Sequence, residues 1–440
     1  LKTASFLAVL CALSVGQARA AQQFLIISDI HFNPLADPAL AAQLMAAAPS
    51  QWEGIFSADA RSPAPKYGDD SSWALLSTLV TGMQSIQPRP KVIILTGDVL
   101  PHKFQDKFSA ITHQSDTAAF RSFAQKTFTF IGLELQKASA GVPLIYTLGN
   151  NDEECGDYAL QPNGPFLEDT QETAQTLAQV NAGVMAQWVS LGSYVAANPL
   201  APHHRIIALN SNFWSSRYHD SCGPDADPGQ AEMNWLADQL KDAAARGDKV
   251  WLAYHIPPGI DGHSSSRAGK TVPFWKATYA EAFNKLLDQY RKTIEMNLAG
   301  HTHLDDIRLV KSEHAETLVI INPGVSPNVG QNPAYRLVTV DAKARPIDIT
   351  TYYLPKLDAL KWEQEYSLRS AYGLKKVDAA SYQKIYQSIV GSDQWKRYYS
   401  VSRPAAVSND KSYQRSLYCA TGNSAPEAFQ KCVDQSSSLP

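Results

Sequence analysis

Charge is scarce in this chain. Asp, Glu, Lys and Arg make up 18% of 440 residues, the net charge is −3, and no long basic run occurs. A surface that tracks nucleic-acid phosphates is therefore not expected. Cysteine is scarce too, with five residues, none at zinc-ligand spacing, so a thiolate metal site is excluded. Beyond the first twenty residues no apolar stretch reaches membrane-spanning length. Internal repeats and low-complexity tracts are also missing, which leaves ordinary globular packing. A hydrophobic content of 44% is enough for a substantial core.

The N-terminus has an export pattern. Lys2 is followed by a mostly apolar run from Phe6 to Val15, and Ala18-Arg19-Ala20 fits a small-x-small cleavage site. Cleavage after Ala20 and a secreted or periplasmic location are expected. The four cysteines that remain then favour disulfides, Cys419 with Cys432 and Cys155 with Cys222.

Apolar, β-branched runs predict buried strands at 24–28, 92–96, 144–148, 205–210, 250–254, 296–299, 318–321 and 336–340, with an alternating one at 347–353. Helical patterns fall at 71–86, 116–136, 170–191, 230–245 and 275–290. The alternation argues an α/β architecture. A Pro- and Ala-rich insertion covers 32–70, with a helix expected over 38–48; it reads equally as a substrate wall or a surface excursion. After Pro355 the chain turns tyrosine-rich, with helices expected at 357–369, 378–391 and 393–399. The expected division is 1–20 leader, 21–354 main domain, 355–440 small helical subdomain.

Five short blocks stand where strands run out: Asp29-Ile30-His31, Gly97-Asp98, Gly149-Asn150-Asn151-Asp152, His255, and Gly300-His301-Thr302-His303. They offer two Asp, one Asn and four His, an oxygen and nitrogen set suited to two borderline divalent cations. Such a pair can bind a phosphate, deprotonate a water and stabilise a departing oxygen, which points to phosphoester hydrolysis. Chance is a poor rival, since roughly 0.015 Gly-His-x-His matches are expected from this Gly and His content. Asp29 with His31, and His301 with His303, are expected to share one side of an extended strand end.

The order of these blocks resembles the calcineurin-like metallophosphoesterases over residues 24–345. The resemblance implies two packed mixed β-sheets flanked by helices. It also implies Asp29, His31 and His303 on one metal, Asn150, His255 and His301 on the other, and Asp98 bridging. Pro101 stands where purple acid phosphatases carry a tyrosine ligand, so zinc is expected, with manganese or a mixture as alternatives. His102, four residues after Asp98, and Asn332-Pro333-Ala334-Tyr335-Arg336 after Asn322-Pro323-Gly324 look like the acid sphingomyelinase branch and its phosphodiesterase relatives.

One departure shifts a role. Most of that family has a histidine after the metal-binding Asn, and here it is Asn151. An amide can hydrogen-bond a phosphate oxygen but cannot deliver a proton. The general acid is then expected to be His102, with Asp152 a lesser candidate. A phosphodiester fits such an acid better than a monoester. Sphingomyelin and soluble diesters, such as nucleotide derivatives or choline headgroup compounds, are level as substrates, because only Cys11 precedes Cys155 and the family's cysteine-rich saposin domain is not expected. A phosphomonoesterase or an inactive exported binding protein are the alternatives. Phe32, Trp73, Phe274 and Trp275 could stack a base, touch a bilayer or simply fill the core.

Overall fold

The computed structural model describes residues 21–59, 63–219, 227–389 and 411–435. The expected leader, Cys222 and the helix at 393–399 lie outside those residues. Two six-stranded sheets form the centre. The first runs β12-β11-β10-β1-β2-β3 and the second β4-β5-β6-β7-β9-β8. In chain order the strands are β1 (Gln22–Ile27), β2 (Ile93–Leu95), β3 (Leu144–Tyr146), β4 (Tyr194–Ala197), β5 (His204–Ala208), β6 (Lys249–Ala253), β7 (Ile294–Ala299), β8 (Asp306–Lys311), β9 (Glu316–Ile321), β10 (Ala334–Val340), β11 (Pro346–Tyr353) and β12 (Glu363–Ser367).

Strands β1, β2 and β3 are mutually parallel, as are β5, β6, β7 and β9. Their continuous apolar runs are what a sheet covered on both faces demands. Between the sheets Phe24 of β1 meets Trp251 of β6 with ring centroids 4.8 Å apart. Helices cover the outer faces, among them Trp73–Ser85, Thr117–Ser139 and Gly229–Arg246.

Three expectations need correction. The segment expected as one helix over 170–191 is a helix at Pro165–Ala178 and a second short pair at Val184–Gln187 and Trp188–Leu191. Gln179 ends the first in the left-handed region (φ 56°), and Pro165 starts it earlier than periodicity suggested. Residues 357–369 are not one helix. Glu363–Ser367 pairs antiparallel with β11 at the sheet edge, and only Leu368–Tyr372 is helical. An available edge overrides helical propensity. In the insertion, a 3₁₀ turn at Pro38–Leu40 precedes a helix at Ala41–Ala46, and Phe32, Leu44, Trp52 and Phe56 are buried. Trp52 and Phe56 pack on Phe130 of the long helix. Most of the insertion is core cover.

The helix Lys411–Gly422 packs on Gly262–Ala268 and β8, and the Cys419–Cys432 disulfide ties it to Pro426–Gln435. Cys155 is disulfide-bonded as well.

Candidate active site

All five blocks follow the carboxyl ends of parallel strands, β1, β2 and β3 in one sheet and β6 and β7 in the other. That is the edge where such sheets carry ligands. The two sheets pack so that these ends meet, and seven side chains separated by up to 274 positions gather in one cluster. Asp29, His31 and His255 are fully buried, and Asp98, His303 and Asn150 nearly so.

The local backbone differs from the extended one expected. Asp29, His31, Asp98, His301 and His303 all have positive φ, between 42° and 72°. L-residues adopt that region at a cost, and it clusters at functional sites. The paired side chains therefore converge because each strand end turns left-handed, not because alternate residues of a strand share a face. Gly97 (φ 88°) and Gly149 make the crowding possible: a Cβ on Gly149 would lie 2.1 Å from Oδ1 of Asp98.

Asp98 is central. Its Oδ2 lies 3.1 Å from Nε2 of His255 and 3.4 Å from Nε2 of His31. On one side Nε2 of His31 faces Nε2 of His303 at 3.1 Å, with Oδ1 of Asp29 3.4 Å from His303. On the other side Nε2 of His255 faces Nδ1 of His301 at 3.3 Å and Oδ1 of Asn150 at 3.1 Å. The remaining nitrogens of His31 and His255 point at the carbonyls of Leu100 (2.9 Å) and Thr96 (2.6 Å). Those carbonyls accept N–H bonds and leave the inward nitrogens as lone pairs. Lone pairs facing each other across about 3 Å, beside two carboxylates, repel unless a cation sits among them. The donor set fits divalent metal ions.

The buried carboxylates act unequally on the four imidazoles, and where they prevail a proton takes the place a cation would fill. Burial opposes charge on every imidazole here. Asp98 and Asp29 overcome it at His31 and His255, which are both lifted to about 9. They do not overcome it at His301, held down to about 4 by burial and His255, nor at His303, held down to about 3 by burial and His31. Burial also works against the Asp98 carboxylate, yet His255 and His31 hold it well below its usual range.

The expected general acid lies at the edge of this cluster. The His102 ring stacks on His31 with centroids 3.8 Å apart. Asp70, missed from sequence, takes its Nδ1 at 2.7 Å and its backbone N–H at 3.1 Å, and Lys107 also reaches the same carboxylate. Nothing in the spacing announces Asp70, 32 positions earlier at the end of the insertion. Asn151 is turned to Asp98, giving that carboxylate its backbone N–H (2.8 Å) and its amide N–H (3.0 Å). Asp152, the lesser candidate, is fully buried, with its carboxylate oxygens engaged by the protein itself. It accepts the backbone N–H groups of Asp98, Val99, Leu100 and Gly149 and the hydroxyl of Tyr146, all at 2.7–3.0 Å.

A cleft opens from the cluster, lined on its far side by Phe274, Arg217, Asp261, Leu304, Tyr413 and Leu417. The helix Lys411–Gly422 is thus one of its walls. Of the four aromatics singled out earlier, only Phe274 reaches this cleft, edge-on to His301; Phe32 and Trp275 are core, and Trp73 packs against Phe56 and Phe130.

Curated relatives share much of the length. An acid sphingomyelinase-like phosphodiesterase 3b of Homo sapiens is 26% identical over 97% of this chain and 93% of its own. A sphingomyelinase phosphodiesterase D of Dictyostelium discoideum is 27% identical over 80% of each chain. A cyclic GMP-AMP phosphodiesterase of Homo sapiens is 24% identical over 86% of this chain and 84% of its own. The calcineurin-like phosphoesterase family model matches residues 23–305, well over half of the chain. The chain belongs to the calcineurin-like phosphoesterase family, with acid sphingomyelinase-like phosphodiesterases among its relatives, and is a metal-dependent phosphoric ester hydrolase.

Proposed function

We propose that this chain is an exported phosphodiesterase working with two divalent cations, zinc first, with manganese or a mixture as alternatives. Asp29, His31 and His303 would hold one cation and Asn150, His255 and His301 the other, with Asp98 shared. The observation that carries this reading is the two pairs of facing imidazoles, His31 with His303 and His255 with His301, gathered about Asp98. Bound there, the cations supply positive charge to the phosphoryl group and lower the pKa of the attacking water.

The protein's own part is orientation and proton delivery. Asn151 holds the Asp98 carboxylate from two N–H groups, so the shared ligand keeps one orientation. Asp70 fixes the His102 ring through Nδ1, which leaves the opposite ring nitrogen for the leaving oxygen. His102 is the general acid of the reaction. An alkoxide leaving group gains most from it, which favours diesters over monoesters. The mixed lining of the cleft, Phe274 and Leu417 beside Arg217 and Asp261, supports a charged headgroup or a nucleotide portion. The relatives divide the same way, between a sphingomyelinase phosphodiesterase and a cyclic GMP-AMP phosphodiesterase. Export rests on the 1–20 leader pattern. No helix among the described residues is long and apolar enough to cross a membrane.

The test is hydrolysis of bis-p-nitrophenyl phosphate against p-nitrophenyl phosphate, with and without chelator, followed by sphingomyelin and nucleotide diesters. Faster diester cleavage, lost with chelator and restored by zinc, is expected. Faster monoester cleavage makes the protein a phosphatase. No turnover with metal bound makes it an exported binding protein.

A further inference from the structure

Two of the side chains in one half of the centre are held from outside by consecutive residues of a single loop. Asn150 donates its amide N–H to the carboxylate of Asp157. His301 has its Nε2 3.4 Å from the hydroxyl of Tyr158. The loop is anchored where it matters, since the Tyr158 N–H also donates to the Asn150 carbonyl at 2.9 Å. Gly156 (φ 111°) and Tyr158 (φ 64°) supply the turn that lets neighbouring residues reach two different ligands.

From this geometry we propose that Asp157 and Tyr158 form a lock that sets cation affinity in the half of the centre made by Asn150, His255 and His301. The inference rests on the two-cation reading above. An amide has a donor end and an acceptor end of nearly the same shape, and flipping it would aim hydrogens at a cation. The Asp157 carboxylate accepts, so the amide nitrogen stays outside and Oδ1 stays inside, 3.1 Å from Nε2 of His255. With Nδ1 of His301 given to a cation, the ring keeps its proton on Nε2, and the Tyr158 hydroxyl 3.4 Å away is placed to accept that N–H. Nδ1 then presents its lone pair inward, 3.3 Å from His255.

Among the described residues no side chain orients the imidazoles of the other half in this way. Nδ1 of His31 is held by a backbone carbonyl, and Nδ1 of His303 is buried without a partner. The amide and an imidazole of one half are thus oriented by two replaceable side chains, while in the other half the only such hold is the Ser28 hydroxyl on the Asp29 carboxylate, a ligand with no donor end to turn inward. Both locking residues also line the cleft, so they lie on the side from which a substrate enters.

The experiment titrates chelator-stripped protein with zinc by calorimetry and counts retained metal by atomic emission. Two ions per wild-type chain are expected. Tyr158→Phe and Asp157→Ala should each weaken one of the two binding events by roughly 10–100-fold, the usual cost of losing an orienting partner. The other event should stay unchanged. Asp157→Asn keeps an acceptor oxygen and should recover most of the loss. Two unchanged events in Tyr158→Phe, or two events weakened alike, overturn the proposal. That variant removes one hydroxyl and keeps the ring, so it decides the matter even if Asp157→Ala does not fold. A wild type that takes up fewer than two ions instead overturns the two-cation reading, and this inference with it.

Discussion

The Asp70 carboxylate lies 2.7 Å from Nδ1 of His102 and also accepts the backbone N–H of the same residue. The carboxylate is fully buried while the imidazole it holds is about 30% exposed toward the cleft. A buried acceptor and a partly open ring make a directed pair, in which one nitrogen is committed and the other is available.

If His102 delivers the leaving-group proton, its replacement should matter in proportion to the basicity of what leaves. His102→Ala is expected to slow diesters with alkyl leaving groups by roughly 10²–10³-fold and activated aryl diesters much less. Asp70→Asn should show the same leaving-group pattern at a smaller amplitude. Steady-state kinetics over a series of leaving groups measures this. Equal losses across the series would remove the assigned role.

Asp152 ties the turn after β2 to the turn after β3 with five accepted hydrogen bonds, so its loss should be structural. Asp152→Ala leaves several buried N–H groups unpaired and is expected to cost roughly 3 kcal/mol or more. Chemical denaturation checks the stability, and metal content checks the site. A variant as stable as the parent, with full metal, would show that the two turns hold without it.

Glu232, at the start of the helix Gly229–Arg246, offers a pH signature remote from the metal centre. Burial pushes its carboxyl up to about 8, against the hydrogen bonds from Ser193 and the Asn210 N–H. The unfolded chain releases this proton near 4.5, whereas the folded chain keeps it to about 8. The folded state binds more protons in that window, so stability should fall as pH rises through it and level off above. Glu232→Gln should flatten this slope, by on the order of a few kcal/mol in all. Melting curves of both proteins between these limits test the sign; parallel curves would show that Glu232 is ionised in the fold.

Much of the site was legible before any coordinates. Each ligand block follows an apolar run, because a parallel strand buried on both faces must be apolar and its carboxyl end is where polar groups can gather. His102 was found through its spacing from Asp98. Local backbone was less legible. The alternation rule placed Asp29 beside His31 correctly but for the wrong reason, since both residues sit at positive φ and no propensity announces that. Strand β12 was missed because its residues read as helical until β11 offers an edge to pair with.

Composition and motif order alone were enough for the α/β class, the seven prospective ligands and the phosphoester chemistry, because these depend on residue type and on short-range periodicity. Which groups hold those ligands and His102 in place was decided by the tertiary structure. Asp70 reaches His102 from 32 positions away, Asn151 turns to Asp98, and Asp157 with Tyr158 grips Asn150 and His301. Such contacts join segments with no common period, and they form only once neighbouring strand ends, and for Tyr158 with His301 the two sheets, are assembled side by side.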